Sequence, residues 1–461
     1  MKLGIVTPIG PGHGALFTES CLPSVQRAAA HDLGPFDEVV LFPMDDTEGR
    51  HGRSNRRNAA VRDARAQGID WIFFLDADDV LPPTAFAAFG RVLAGNPALD
   101  AVFGLICTLG PEGEPELRED QPATIDSYDE FLSVDPFLAV VMGHFVRCEV
   151  AAAIPFDETM DTGEDYFYYT RLWRDFSCVK RPEILYLVRR GAHSTGPRSA
   201  TGKDWTKAVG RLWAEAVVAH PLWARISDDG VTAEMRVTNP QDLIQRRHLA
   251  GQFFEAVSLR RLKGLIRPGG VLVDVGANIG NHVVWYAQHL APRAVLPVEP
   301  NPAAIDLLEA NIARNGIAHV IDRRGIGLGA GRAEGRFRAV TDDRDNLGAT
   351  RLVPDARGDL HVATLDTLLG GLRVDFLKID AEGMELEVLE GAAGLIARDR
   401  PVIWVEVQRA NILAFAQGWC RANGYRLADS MPYVHTMDYF AVPEDFEGPR
   451  PPHTLRAEEP A

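Results

Sequence analysis

A chain of 461 residues exceeds what one hydrophobic core usually organises, so two or three domains of roughly 100 to 200 residues each are expected. Hydrophobic residues at 46% and charged residues at 24% give the balance of a globular protein and exclude a disordered or fibrous one. The formal charge of -16 argues against nucleic acid as the main partner, because such binding needs a basic surface that releases counterions, whereas small anions stay open through a local patch or a bound cation.

The first residues, Met1 to Thr7, run straight into a strand pattern without the basic start, apolar stretch and small-residue site of a signal peptide. The longest apolar run, Pro136 to Met142, is too short to span a bilayer, so no transmembrane segment and a cytoplasmic location are expected. Cys21, Cys107, Cys148, Cys178 and Cys420 are scattered without metal-ligand spacing and read as reduced and mostly buried.

Short apolar strands alternate with helical patterns from the start: Leu3 to Thr7, Glu38 to Phe42 and Trp71 to Leu75, with a helix over Ala59 to Ala66. That is α/β grammar. Gly10-Pro11-Gly12-His13-Gly14 reads as a simple turn in preference to a loop whose amides touch a diphosphate. The run Trp71 to Leu75 ends in Asp76-Ala77-Asp78-Asp79, which sets carboxylates at the carboxyl end of a buried strand, where open α/β sheets bind ligands. Asp76 and Asp78, two residues apart, point to one side of an extended chain and can share a hard divalent cation that also holds a diphosphate. Capping of the helix after Pro82-Pro83 accounts for Asp79 but not for all three carboxylates.

With Arg57-Asn58 before that strand and Gly163-Glu164-Asp165-Tyr166 after it, roughly residues 1 to 200 resemble the family 2-like glycosyltransferases of GT-A fold. The resemblance implies a nucleotide-sugar donor, Asp78 on the metal (Mn or Mg), Asp76 on the donor sugar or ribose, and Asp165 or Glu164 as general base. It also implies a metal-binding histidine near the domain's end, for which His193 is placed. Thr7 and Asp45 are the further candidate substrate contacts, with Asp45 or its neighbour Asp46 able to reach a nucleobase or ribose. Phe42-Pro43-Met44-Asp45-Asp46-Thr47 departs from the family's acidic, Ser-rich motif and leaves the donor's identity open. Glu164-Asp165 also fits an acidic pair facing a helix dipole.

From Arg190 to Lys203 the pattern dissolves into a Gly/Ser-rich loop, the expected end of the first domain at residue 203. Trp205, Val209, Trp213 and Val217 then form a helical stripe expected to dock the two halves. Asp228-Asp229-Gly230 reads as a turn within a linker over 204–240, and one helix is expected from Asp242 to about Leu262. A second α/β series follows over 241–442: Val271 onward, Ala294 to Val298, Phe376 to Ile379 and Val402 to Glu406. The Pro- and Glu-rich tail 443–461 is expected to be poorly ordered.

The strand Val271 to Val275 breaks at Gly276-Ala277-Asn278-Ile279-Gly280-Asn281 into a helix start, with Gly276 and Gly280 allowing close backbone approach and Asn278 tolerating the left-handed conformation. Glu299, about 20 residues on, ends the next strand and can accept from both ribose hydroxyls. Spacing thus implies an adenosine-type cofactor without choosing between NAD and S-adenosylmethionine. Asp274 to Asn281, Glu299-Pro300-Asn301-Pro302, Thr364-Leu365-Asp366, Lys378 to Glu385 and Trp404-Val405-Glu406 together resemble the FkbM family of methyltransferases. That resemblance implies a class I Rossmann-like fold, S-adenosylmethionine held by Asp274, Gly276, Asn278, Gly280, Asn281, Glu299 and Asn301, and methylation mostly at oxygen. Asp380 and Glu382 are candidates to orient or deprotonate the acceptor, or to cap the helix near Met384. Glu406 reads as a site wall or a strand-end charge, and Asp345 and Asn346 as a polar loop bordering the acceptor.

The expectation is therefore a bifunctional enzyme that adds a sugar to a glycan or glycolipid acceptor and methylates a hydroxyl. The alternatives are a methyltransferase whose front half is a non-catalytic carbohydrate-binding module, and a C-terminal NAD-dependent dehydrogenase.

Overall fold

A computed structural model describes residues 1–110, 114–189, 202–341, 347–432 and 436–448. His193, Asp345 and Asn346 lie outside the described residues, as do 190–201 of the expected linker loop and 449–461 of the tail. The chain is mixed α/β and divides into two compact units, Met1–Leu222 and Trp223–Ala461.

The first unit is built on a six-stranded sheet in the order Glu38–Asp45, Lys2–Ile9, Trp71–Phe74, Phe145–Arg147, Ala101–Phe103, Cys178–Lys180. Its first three strands are parallel, and Phe145–Arg147 runs antiparallel to both neighbours. Trp71 to Phe74 are wholly buried, as expected of a central strand covered on both faces. The helix read at Ala59 to Ala66 starts a turn and a half earlier and spans Arg53–Ala66. The stripe on the helix Gly202–Ala219 packs within this unit, against the helices Tyr128–Ser133, Pro136–Ala139 and Glu164–Asp175. Val209, Trp213 and Val217 are buried there, and the Trp213 indole donates to the Leu132 carbonyl at 2.7 Å.

The expected linker over 204–240 is thus shared between the units: its helix belongs to the first, and its hairpin lies almost wholly in the second. Asp229 and Gly230, at φ of 46° and 77°, close the two-residue turn between Leu222–Asp228 and Val231–Val237. The helix expected over Asp242 to Leu262 is broken. Leu243–Leu249 ends at Gly251, whose φ of 73° and N–H bond to the His248 carbonyl make a C-terminal cap, and a separate helix Ala256–Arg261 begins after Glu255.

The second unit's main sheet runs Ala294–Val298, Val271–Val275, Phe376–Ile379, Val402–Gln408, Thr436–Pro443, Tyr425–Pro432, with the first four strands parallel. Leu272 faces one core cluster while Val273 and Val275 face another, so both sides of the sheet are covered. Isolated bridges Val295 to Ile321 and Glu299 to Ile326 extend the parallel edge. At the expected tail, Phe446 packs on this core. All five cysteines are free and buried. Among the described residues no helix is long and apolar enough to cross a membrane.

Candidate active sites

The first unit gathers its carboxylates where the strand Trp71–Phe74 ends. Because Trp71 to Leu75 carry no exposed side chain, the chain reaches the sheet edge before its first acid, and Asp76, Asp78 and Asp79 emerge along a cleft of about 540 Å³. Asp76 accepts from Arg57 Nη2 at 2.5 Å. Arg57 is 2% exposed and lies 3.8 Å from Glu164, which Arg53 approaches to 2.5 Å. Burial opposes ionisation of Asp76, but the charge and hydrogen bond of Arg57 outweigh it and hold the carboxyl below its usual range. Asp79 is the converse: burial, then the charges of Asp78 and Asp76, push it well above that range, although Tyr186 Oη and the Arg189 N–H donate to it.

Asp76 and Asp78 are brought together at this cleft, with Asp46, His13 and Arg53 on its walls. Asp45 does not join them: it is exposed and accepts from the Thr47 N–H at 2.9 Å, while Asp46 accepts from the His51 and Gly52 amides at 3.0 and 2.7 Å. Thr7 is buried inside the sheet and does not line the cleft. Glu164, a candidate base, is corrected to an ion-pair residue, since its carboxylate is buried between Arg53 and Arg57. Burial and the charge of Asp165 raise its pKa against the two arginines. Asp165 is half-buried at the start of the helix Glu164–Asp175 and accepts from the Tyr166 N–H at 2.8 Å. Asp161 and Thr162, just ahead of that helix, line the cleft.

In the second unit the strand ends stand in a row. Gly276 takes φ of 77°, and a Cβ there would stand 1.8 Å from the Asp380 carbonyl oxygen, so the bend admits only glycine. Asn278 adopts φ of 47°, the left-handed conformation its sequence position called for. Its N–H donates to Glu299 Oε2 at 2.8 Å, and the Asn301 N–H donates to Oε1 at 2.7 Å. Burial raises the Glu299 carboxyl to about 7 against these two donors. Gly276, Asn278, Glu299, Asn301, Asp380 and Glu382 all line one cavity of about 70 Å³. That is below the 300–1,000 Å³ usual for a small-molecule pocket, so seating a whole nucleoside requires the walls to part.

Three residues expected at the cofactor do not line this cavity. Asn281 ties a neighbouring segment, accepting from the Phe254 N–H, donating to its carbonyl and meeting His248 Nε2 at 2.9 Å. Gly280 faces Leu308, and Asp274 is fully buried with Lys378 Nζ 4.0 Å away. Lys378 donates to Asp380 Oδ2 at 3.1 Å, which orients that carboxylate. Neither Asp380 nor Glu382 caps the helix Glu385–Gly391: its N-cap Met384 makes no side-chain cap bond, and Glu385 accepts from the Gly383 N–H instead. Glu382, at φ of 46°, has its carboxyl raised to about 7, chiefly by burial and then by Asp380 and Glu385.

Sequence reasoning missed Glu255 and Asp438. Their carboxylates and that of Glu406 lie within 4.8 Å of one another. Asp438 had a readable signal, a lone acid in the apolar stretch Tyr439-Phe440-Ala441-Val442 and Met437. Glu255 had none, since only the break after Gly251 turns it toward the sheet edge.

The curated protein Methyltransferase sdnD of Sordaria araneosa is 27% identical over 156 residues, covering 26% of this chain and 59% of that protein. This chain thus spans under two thirds of that relative. Among solved structures the chain is similar to S. aureus TarS 1–349 in complex with UDP-GlcNAc, at 15% identity over 47% of this chain and 67% of that one, with a TM-score of 0.35. It is also similar to methyltransferase FkbM from Methylobacillus flagellatus KT, at 18% identity over 51% and 60% of the two chains and a TM-score of 0.29. Residues 274–427 match the family model described as the methyltransferase FkbM domain, and the second unit therefore carries a methyltransferase domain of that family.

Proposed function

We propose that the protein is a bifunctional transferase: the first unit moves a sugar from a nucleotide-sugar donor to a glycan or glycolipid acceptor, and the second methylates a hydroxyl with S-adenosylmethionine. The observation that supports this reading is that each unit sets its acids at the carboxyl ends of parallel strands around a cavity, where open α/β sheets take ligands.

In the second unit the bend at Gly276 leaves no room for a side chain, and Glu299 keeps lone pairs free beside its two backbone donors, so the residues fit a nucleoside with a ribose diol. Glu299 and Asn278 would hold it. When bound, S-adenosylmethionine supplies an electrophilic methyl group. Asp380, steadied by Lys378, orients the acceptor hydroxyl, and Glu382, with a carboxyl near neutrality, takes its proton. Orientation of the acceptor contributes much of the acceleration in such a displacement.

In the first unit Asp78 would hold a divalent cation, which offsets the charge that builds on a leaving diphosphate. Asp76, fixed as an anion by Arg57, accepts from a donor hydroxyl. Asp165 is the general base of this reading. The cytoplasm is the compartment that supplies both donors.

The test is incubation of the full chain with Mn²⁺ and a panel of nucleotide sugars including UDP-GlcNAc, scoring nucleoside diphosphate release, beside methyl transfer from labelled S-adenosylmethionine to the products. Asp78→Ala is expected to lower sugar transfer by at least about 100-fold. Sugar binding without turnover in the parent protein, unchanged by Asp78→Ala, would instead make the first unit a carbohydrate-binding module.

A further inference from the structure

The acids of the second unit outnumber the cations set against them. Along its sheet edge Ile379 pairs with Val405, so Asp380 is level with Glu406, and Glu406 pairs in turn with Asp438 on the antiparallel strand. Two acids directly opposite one another on adjacent strands repel, and such pairs are destabilising unless something sits between them. Glu255 brings a third carboxylate to the same point. Asp438 is 1% exposed and, among the described residues, neither of its oxygens has a hydrogen-bond partner; the Trp404 indole N–H faces it without closing a bond of normal geometry. Lys378 is engaged with Asp380, and His282 Nε2 stands 3.0 Å from Glu255. A buried carboxylate without a partner is costly, and a native fold retains one where a ligand supplies the missing charge.

We propose that Glu255, Glu406 and Asp438 hold a hard divalent cation on the acceptor side of the methyltransferase cavity. All three ligands are carboxylates, the donor set of Mg²⁺, Mn²⁺ or Ca²⁺ and not of a soft metal. Strands lie about 4.8 Å apart, so the Glu406 strand is two steps, roughly 10 Å, from the one that ends at Gly276. That distance puts the cation beyond the cofactor's bend, with Asp380 between them. Its open positions take oxygen atoms of the acceptor, such as vicinal hydroxyls, and set which hydroxyl faces the methyl group. This role in acceptor binding rests on the methyltransferase reading above; the cation site itself does not.

The test uses the full chain carrying Asp78→Asn, so that the first unit contributes no cation of its own. Bound Mn²⁺ is counted by electron paramagnetic resonance, thermal melting is followed with and without Mn²⁺, and S-adenosylmethionine binding is measured by calorimetry on the same samples. One Mn²⁺ per chain and a melting temperature raised by several degrees are expected, both lost when Glu406→Gln and Asp438→Asn are added. Those two substitutions are isosteric and remove repulsion, so the metal-free fold is expected to persist. Absence of bound Mn²⁺ and Mg²⁺ at millimolar concentration in the Asp78→Asn protein overturns the proposal without need of the second variant, as does equal Mn²⁺ binding in both. Absence of Mn²⁺ from the Asp78→Asn protein with S-adenosylmethionine binding intact overturns the cation site alone, whereas Mn²⁺ bound there without the nucleoside upholds the site and removes the methyltransferase cofactor from the reading.

Discussion

Both units place acids at the carboxyl ends of parallel strands, yet neutralise them differently. In the first, Arg53 and Arg57 interleave with Asp76 and Glu164, so that two of its acids are already matched by fixed cations before any ligand arrives. In the second, Lys378 serves Asp274 and Asp380, and the carboxyls of Glu299, Glu382, Glu406 and Asp438 are all raised, each chiefly by burial. A guanidinium keeps its charge at any working pH and fixes a carboxylate through directed bonds, which suits a site that must stay anionic. Under-compensated acids instead hold a proton or recruit a cation, which suits a site that exchanges one.

The comparison breaks most sharply at Arg57. Arg57→Met strips the partner from Asp76 and leaves buried Glu164 with Arg53 alone, and truncating one side of a buried ion pair costs about 3–5 kcal/mol. Urea denaturation of the full chain is expected to show the first unit unfolding earlier with the second unit's transition unmoved. A shift below about 1 kcal/mol would mean that the arginine network is not what fixes these acids.

Gly276→Ala is the corresponding blow to the second unit. The new Cβ would meet the Asp380 carbonyl in a backbone conformation that L residues avoid, an expected loss of about 2–4 kcal/mol. Binding of S-adenosylmethionine, read by calorimetry, is expected to vanish with it, while nucleotide-sugar turnover in the first unit is retained.

What the sequence disclosed and what it hid follow this same divide. Strand ends were legible because an apolar run such as Trp71 to Leu75 stopping at Asp76 has one physical interpretation, and the bend at Gly276 to Asn278 because its residue types match unusual backbone angles. The partners of the acids were not. Arg57 reaches Asp76 across the sheet edge, Arg53 meets Glu164 from 111 residues away in the chain, and Glu255 arrives only because Gly251 ends a helix that periodicity alone would have carried on to Leu262. Charge neutralisation is a tertiary property, and linear spacing carries little of it. The same limit hid that Asn281, at the helix start, uses its side chain as a strut for Phe254.

A smaller effect separates stability from binding in the second unit. Glu299 has a folded-state pKa of about 7, above an unfolded value near 4.3, so the folded state binds its proton more tightly. Its contribution to stability is therefore full below about pH 4.3 and is lost as pH rises through about 7, with a slope of at most about 1.4 kcal/mol per pH unit. Cofactor affinity runs the opposite way. The ionised carboxylate is the form that accepts from two hydroxyls, so the dissociation constant of S-adenosylmethionine is expected to rise up to about tenfold between pH 8 and pH 6. Calorimetry at stepped pH measures this, and a flat profile in the parent protein removes Glu299 from the ribose.

The mildest test concerns neighbouring acids that the sequence could not tell apart. Asp45 is exposed and caps only its own turn, whereas the carboxylate of Asp46 gathers the amides of His51 and Gly52 at the wall of the first cleft. Asp45→Asn is expected to change stability by less than about 0.5 kcal/mol and nucleotide-sugar affinity not at all. Asp46→Ala leaves two amides without their acceptor at the approach to Arg53, which costs about 1–3 kcal/mol and loosens the start of the helix that carries Arg57. If chemical denaturation and donor titration show the two substitutions to be equivalent, the loop from Asp46 to Gly52 is not held by its carboxylate, and the first cleft owes its shape to the arginines alone.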